Sequence, residues 1–284
     1  MTAPARPGMA ATLWRRFRRH WAAVGGLVVI VVLGCASVGV SLFVPEAETL
    51  ALRFAEKLEP PGARHWFGTN ELGQDVFLRC LYGGRVSLRV GIEATVVALL
   101  AGVLLGALAG AAGGVVDGLV MKLVDVMLAI PIFFVLLLLA SYFGANLHLV
   151  TLVIGLSSWP DVCRLVRADF LSLREKEFVE AAWALGATPA RVVWRHLLPN
   201  AASPIIVAAT LGVARAIIVE SALSYLGFGS QPPNASWGYM LRNAQSHITE
   251  YPWLAFFPGA LIFATVLAFN FVGDGLRDAL DPRT

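Results

Sequence analysis

The chain has 284 residues, of which 57% are hydrophobic and only 14% charged, with a mean hydropathy of +0.71; soluble domains carry roughly a quarter charged residues. This balance excludes a water-soluble globular body, and the recurring apolar runs leave room for several membrane spans of about 20 residues each. The net charge of +3 does not point to nucleic acid, because the basic residues flank apolar runs and form no patch interleaved with aromatics.

The N-terminal tail, residues 1–20, carries Arg6, Arg15, Arg16, Arg18 and Arg19 and no acid, which by the positive-inside rule places it in the cytoplasm. Residues 21–44 form an apolar run too long for the 7–15-residue core of a signal peptide. No convincing cleavage site follows, so the run reads as a retained first span. Residues 45–87 are polar and turn-rich (Pro45, Pro60, Pro61, Gly62, Gly68, Gly73, Gly83, Gly84) and read as an external segment. The core, residues 88–276, holds five more spans. They are Leu88–Ala112, Leu119–Phe143, a short one from Leu147 to Trp159 with room to continue to Val166, Ala201–Leu223 and Trp253–Val272. Between the fourth and fifth spans, residues 161–200 are charged and read as a cytoplasmic loop; Ser230 to Tyr251 reads as external, and the tail 277–284 as cytoplasmic. The prediction is an all-α, polytopic six-helix bundle with both termini in the cytoplasm. Fourteen basic residues then lie inside and six outside.

Within the spans, Gly102, Gly106, Gly110 and Gly114 recur every four residues, a smooth ridge that lets membrane helices approach closely. Ala208, Gly212 and Ala216 repeat the pattern in the fifth span. Pro131 predicts a kink in the third. Intramembrane charges are costly and mark function by default, which singles out Arg215 and Glu220: they face a translocation path or a partner subunit, or else satisfy one another or snorkel toward the interface. Five residues apart, they stand roughly 100° off a common helical face and make a poor pair with one another. Asp125 and Glu93 lie nearer to span ends. The cysteines, Cys35, Cys80 and Cys163, have no metal-ligand spacing, so no metal site is expected.

The loop is the most informative segment. Glu177 to Leu185 predicts a short helix with Phe178, Ala181, Ala182 and Leu185 on one face at i, i+3, i+4 and i+7. Gly186 follows as a left-handed C-cap, Thr188 caps a second helix with Pro189 at its first position, and Pro199 is expected to end it. Small Ala181 and Ala182 at an exposed centre suit docking into a groove of another protein, with Glu180 as an oriented charge.

Glu180-Ala181-Ala182, then Gly186, then Leu198-Pro199 resemble the EAA loop of ABC importer permeases, although His196 stands where the general pattern has isoleucine. The run Arg195-His196-Leu197-Leu198-Pro199-Asn200 is similar to the peptide-transporter branch. So are His65-Trp66-Phe67-Gly68-Thr69-Asn70-Glu71-Leu72-Gly73-Gln74-Asp75, Ser236-Trp237-Gly238 with the preceding Pro232-Pro233, and Gly273-Asp274-Gly275-Leu276-Arg277-Asp278 with Asp281-Pro282-Arg283. The resemblance implies a second permease subunit of a dipeptide, oligopeptide or nickel importer with the ABC type I fold, in a bacterial cytoplasmic membrane. It further implies a homologous second permease as heterodimer partner, two ABC ATPase subunits carrying ATP and Mg2+, and an extracytoplasmic substrate-binding protein. On this reading Glu180, Ala181, Ala182, Gly186, Leu198 and Pro199 couple the chain to the ATPases, and the external segment either meets the binding protein or caps the bundle. The chain itself has no phosphate-binding loop, no nucleophile elbow and no His-Glu-x-x-His, and is expected to be non-catalytic and to bind no cofactor. Glutathione and other small solutes are alternative cargoes. An ion-coupled secondary transporter would call for inverted repeats and midplane ion ligands, which the sequence does not display.

Overall fold

The computed structural model describes residues 9–143, 146–231 and 236–280; Arg6, Pro232, Pro233, Asn234 and the Asp281-Pro282-Arg283 run lie outside them. Among the described residues the chain is helical, with one isolated bridge, Thr69 to Asp75. The helices in chain order are α1 (Met9–Phe17), α2 (Trp21–Phe43), α3 (Glu46–Thr49), α4 (Val76–Ala112), α5 (Gly114–Ala129), α6 (Ile132–Phe143) and α7 (Leu147–Arg174). There follow α8 (Glu177–Ala184), α9 (Pro189–Val192), α10 (Leu198–Asn200), α11 (Ala202–Leu226), α12 (Trp237–Ala244) and α13 (Trp253–Leu280). Five helices, α2, α4, α7, α11 and α13, are individually long and apolar enough to cross a membrane. The predicted third span is the bent pair α5 and α6, broken at Ile130 and Pro131 with a turn of 75°. Proline lacks an N–H and its ring crowds the preceding turn, so the predicted kink is here a full break.

Two helices outrun the spans drawn from hydropathy. Helix α4 begins at Val76, where the Asp75 carboxylate accepts the Leu78 N–H at 3.0 Å, and its 37 residues make a rod of about 55 Å at 1.5 Å per residue. Residues 76–87, read as part of the turn-rich external segment, are therefore its first helical turns. Helix α7 runs through Pro160 to Arg174, so the charged residues 161–174 are helical and not part of a loop. Their charges are satisfied laterally: Arg164 donates to Asp125 on α5 at 2.5 Å, Arg167 makes a two-pronged ion pair with Asp117 on α5, and Arg174 donates to the Gly110 carbonyl of α4 at 3.0 Å.

The centre of the bundle is the parallel pair α4 and α7. A Cβ on Gly102 would lie 2.8 Å from the Trp159 carbonyl oxygen, one on Gly106 2.6 Å from that of Cys163, and one on Gly110 3.1 Å from that of Arg167. The predicted ridge is thus the contact surface, with Gly155 answering from α7 against the Ala94 carbonyl. Gly114 does not belong to it: with Gly113 it forms a turn in which both residues have positive φ, 67° and 54°, a conformation glycine adopts without steric cost. Helix α11 packs antiparallel on α4, with Gly212 against Thr95 and Gly91 against Ile217. Helix α13 closes the other flank against α11 and α2, where Gly26 lies under the Ala268 backbone and Gly275 against Ala23.

Candidate functional site

Three groups of residues bear on function: the α8 to α10 loop, a cleft among α4, α7 and α11, and a hydrogen-bonded cap at the opposite end of the bundle.

The loop has a core of its own. Val179 of α8, Val192 of α9 and Leu197 are fully buried together with Val166 and Phe170 of α7, which locks the loop to the end of that helix. Helix α8 ends as predicted: Gly186 has φ of 78°, its N–H reaches the Trp183 carbonyl at 2.9 Å, and the Ala187 N–H reaches the Ala182 carbonyl at 3.0 Å. This doubly bonded left-handed termination has open space around Gly186, so backbone conformation alone demands the glycine. Thr188 accepts the Arg191 N–H at 3.4 Å, with Pro189 at the first helical position.

Two expectations about the loop are corrected. Ala182 is only 8% exposed, buried like Val179, because α8 must bury one face against α7. Glu180 and Ala181 are exposed, beside Phe178, Trp183 and Leu185, the last 89% exposed, and Trp194 from the next segment. Nor does Pro199 end the second helix. The chain widens into a π turn over Val193–Leu197, in which the Leu198 N–H reaches back five residues to the Val193 carbonyl. A widened turn relieves the clash of a proline ring with the carbonyl four residues earlier, and helical backbone continues through α10. Leu198 packs at the margin of the loop core, and Asn200 returns its side chain to the His196 carbonyl at 2.6 Å.

Arg215 and Glu220 part company. Arg215 pairs with Asp161 of α7 at 2.6 Å, and both side chains are more than half exposed at a cavity of about 240 Å³ lined by Ala94, Thr95, Ala98, Ser158, Ala208 and Gly212, among others. Glu220 is fully buried. Its Oε1 accepts from Ser224 at 2.6 Å and its Oε2 from Ser87 of α4 at 3.4 Å. Ser224 in turn accepts the Ser230 N–H, and Ser87 the N–H of Trp237. The carboxylate is therefore the knot that ties α4 and α11 to the start of α12.

Trp237 itself donates from Nε1 to the Cys80 carbonyl at 2.8 Å and stacks over Gly83 and Gly84. Beside it, the run from His65 to Asp75 turns its polar side chains inward. His65 bonds Asp75 through Nδ1 at 2.7 Å, Asn70 and Gln74 bond each other, Gln74 receives Arg79, and the Tyr82 hydroxyl reaches the Val44 carbonyl at 2.5 Å. These contacts make the segment a cap on α4.

Residues 102–284 match the family described as binding-protein-dependent transport system inner membrane component. The chain belongs to this family. Residues 9–61 of the permease match a second description, the N-terminal TM domain of oligopeptide transport permease C. Similar proteins along nearly the whole permease include the oligopeptide transport system permease protein OppC of Salmonella typhimurium, 42% identical with 96% of this chain and 92% of that one covered. The protein of the same name from Escherichia coli K12 is also 42% identical at the same coverage. The dipeptide transport system permease protein DppC of Alkalihalophilus pseudofirmus is 39% identical, with 96% and 91% covered. A solved structure of the MetNI methionine ABC transporter in inward-facing conformations has a TM-score of 0.59 at 19% identity, covering 72% of this permease and 96% of that chain; this likeness is one of fold. The permease is thus a multi-pass membrane component of an ABC transporter assembly.

Sequence reasoning missed Val179, Trp183, Trp194 and Asp161. The two tryptophans carry a readable signal, large apolar groups in a charged segment. Asp161 was assigned to the loop and so separated from Arg215.

Proposed function

We propose that the chain is one of two permease subunits of an ATP-driven peptide importer in a bacterial cytoplasmic membrane, non-catalytic itself, with ATP and Mg2+ held by two ABC ATPase subunits docked on the permease loops. The carrying observation is the α8 to α10 loop, which spends Val179, Val192 and Leu197 on its own core and still presents Phe178, Trp183, Leu185 and Trp194 outward. A segment built this rigidly around an exposed apolar face is suited to a partner groove. Glu180 and Ala181 lie on that surface; Gly186, Leu198 and Pro199 shape it. The loop side is then cytoplasmic, with both termini on it, and the cap of α12 and residues 45–75 faces the substrate-binding protein. Peptide cargo is supported by the names of the similar permeases, dipeptide and oligopeptide transport proteins.

The test uses the assembled transporter in proteoliposomes with its binding protein. Gly186→Trp, which forces a bulky residue into left-handed backbone, and Glu180→Lys are expected to abolish ATP-dependent uptake of labelled di- and tripeptides while insertion and assembly persist. Unchanged uptake moves the docking surface elsewhere. Uptake of a nickel chelate or glutathione in place of peptides overturns the cargo, and transport by the chain alone without ATP overturns the whole reading.

A further inference from the structure

We infer that Asp161 and Arg215 form a binding site for the free amino and carboxyl termini of a short peptide, inside the cleft of α4, α7 and α11. This rests on the peptide reading above and assigns it a place in the chain.

Both residues stand in the middle turns of their helices, where a charge is expensive unless it is matched. Their match is incomplete. One nitrogen, Nη1 of Arg215, meets one oxygen, Oδ2 of Asp161, and among the described residues the rest of the guanidinium fork and Oδ1 have no partner. Six residues further along α7, Arg167 shows the alternative: two nitrogens on two oxygens of Asp117, with both side chains largely covered. That pair is saturated and ties helices together. The Asp161–Arg215 pair is 54% and 65% exposed and retains capacity for a ligand.

The cavity beside it completes the argument. Asp161 and Arg215 are its only charged lining residues. The hydroxyls of Thr95 and Ser158 are engaged by carbonyls of their own helices, and Ala94, Ala98, Ala208, Gly212 and Ala216 form smooth walls. At about 240 Å³ it is smaller than the roughly 300–1,000 Å³ typical of ligand clefts, which suits a short peptide or the end of a longer one. A net-neutral pair admits a ligand bearing one charge of each sign: the carboxylate takes the arginine fork, the geometry guanidinium matches best, and the ammonium takes Asp161. A ligand with a single charge would draw one member out of the pair and leave the other without a counter-charge. Apart from the two engaged hydroxyls the rest of the wall is apolar, small residues together with the larger Leu99, Ile154, Val162, Leu165 and Leu211, and holds no polar group to select a side chain, so recognition falls on the termini that all linear peptides share.

The assembled transporter in lipid nanodiscs tests this, with the exposed Cys35 replaced by serine and Ala208→Cys placed on the cavity wall; Cys80 and Cys163 are buried. The rate of maleimide labelling at residue 208 is measured with trialanine and with N-acetyl-trialanine amide. Trialanine is expected to slow labelling at least fivefold and the blocked peptide to leave it unchanged. Arg215→Gln and Asp161→Asn are each expected to remove the protection. If Arg215→Gln fails to assemble, Arg215→Lys, which keeps the charge and loses the fork, is expected to weaken protection severalfold. Equal protection by the blocked peptide, protection that survives these substitutions, or a residue 208 that does not label because a partner subunit covers it overturns the site. Peptide uptake by the unmodified transporter, run in parallel, separates the two levels: absent uptake defeats the proposed function, whereas normal uptake with protection indifferent to the termini defeats only this site.

Discussion

Alanine at Gly106 would place a methyl carbon 2.6 Å from the Cys163 carbonyl oxygen and 2.9 Å from Val166 Cβ, where ordinary contact begins at 3.4 Å. The oxygen belongs to a helix backbone and cannot rotate aside, so α4 and α7 must part locally by about 0.8 Å, an overpacking strain of the kind that costs about 1–3 kcal/mol. A gap of that size also forfeits about a quarter to a half of the dispersion well for each facing atom pair, along an interface that includes the fully buried Val166 and Phe170. Nothing lies within 4 Å of a Cβ on Gly25 or Gly118, so alanine there should be neutral or stabilise by about 0.5–1 kcal/mol through helix propensity. The assay is SDS-driven unfolding of the purified permease followed by tryptophan fluorescence, to which Trp159, buried beside Cys163 and Val124, reports directly. Gly106→Ala should unfold at clearly lower SDS than wild type, and Gly25→Ala should not. Equal midpoints for the two would show that the helices are not held by the glycine ridge.

Removing either partner of the Asp117–Arg167 pair, by Asp117→Asn or Arg167→Gln, should destabilise by about 1.5–3 kcal/mol, the range for hydrogen bonds to charged groups. A double-mutant cycle checks it: the combined variant should lose much less than the sum of the two. Trp237→Phe keeps most of the ring but drops the bond to the Cys80 carbonyl, for about 1 kcal/mol, whereas Trp237→Ala should cost about 3–5 kcal/mol by opening a cavity under α12; proteolysis of the segment between α2 and α4 gives the readout.

Hydropathy recovered the first, fifth and sixth spans to within a few residues at their near ends, since lipid-length apolar runs admit few other readings. It failed where helices carry charge. Asp161, Arg164 and Arg167 resemble solvated loop residues until Arg215, Asp125 and Asp117 are seen beside them, and those partners are between 39 and 54 positions away. The caps at Gly186 and Thr188 were legible because they are local rules of backbone conformation and hydrogen bonding. The inward turn of Ala182 was not, because helical spacing defines a face without saying which one meets α7. Glu220 was marked by its cost, yet its serine partners on α4 and α11 became visible only in three dimensions.

Helix α4 reaches from the His65–Asp75 cap to the glycine turn beside the loop as one unbroken element. Such a rod behaves as a lever: pivoting by 5° about one end, it would carry the other through about 5 Å, given its length of about 55 Å. Because Gly102, Gly106 and Gly110 bring its backbone against that of α7, and Val179 of α8 is buried with Val166 and Phe170 at the end of α7, a pull on the loop acts on the cap through packed helices. Mechanical advantage is therefore built into the length of α4, and inserting or deleting residues within it would change the stroke as well as the register.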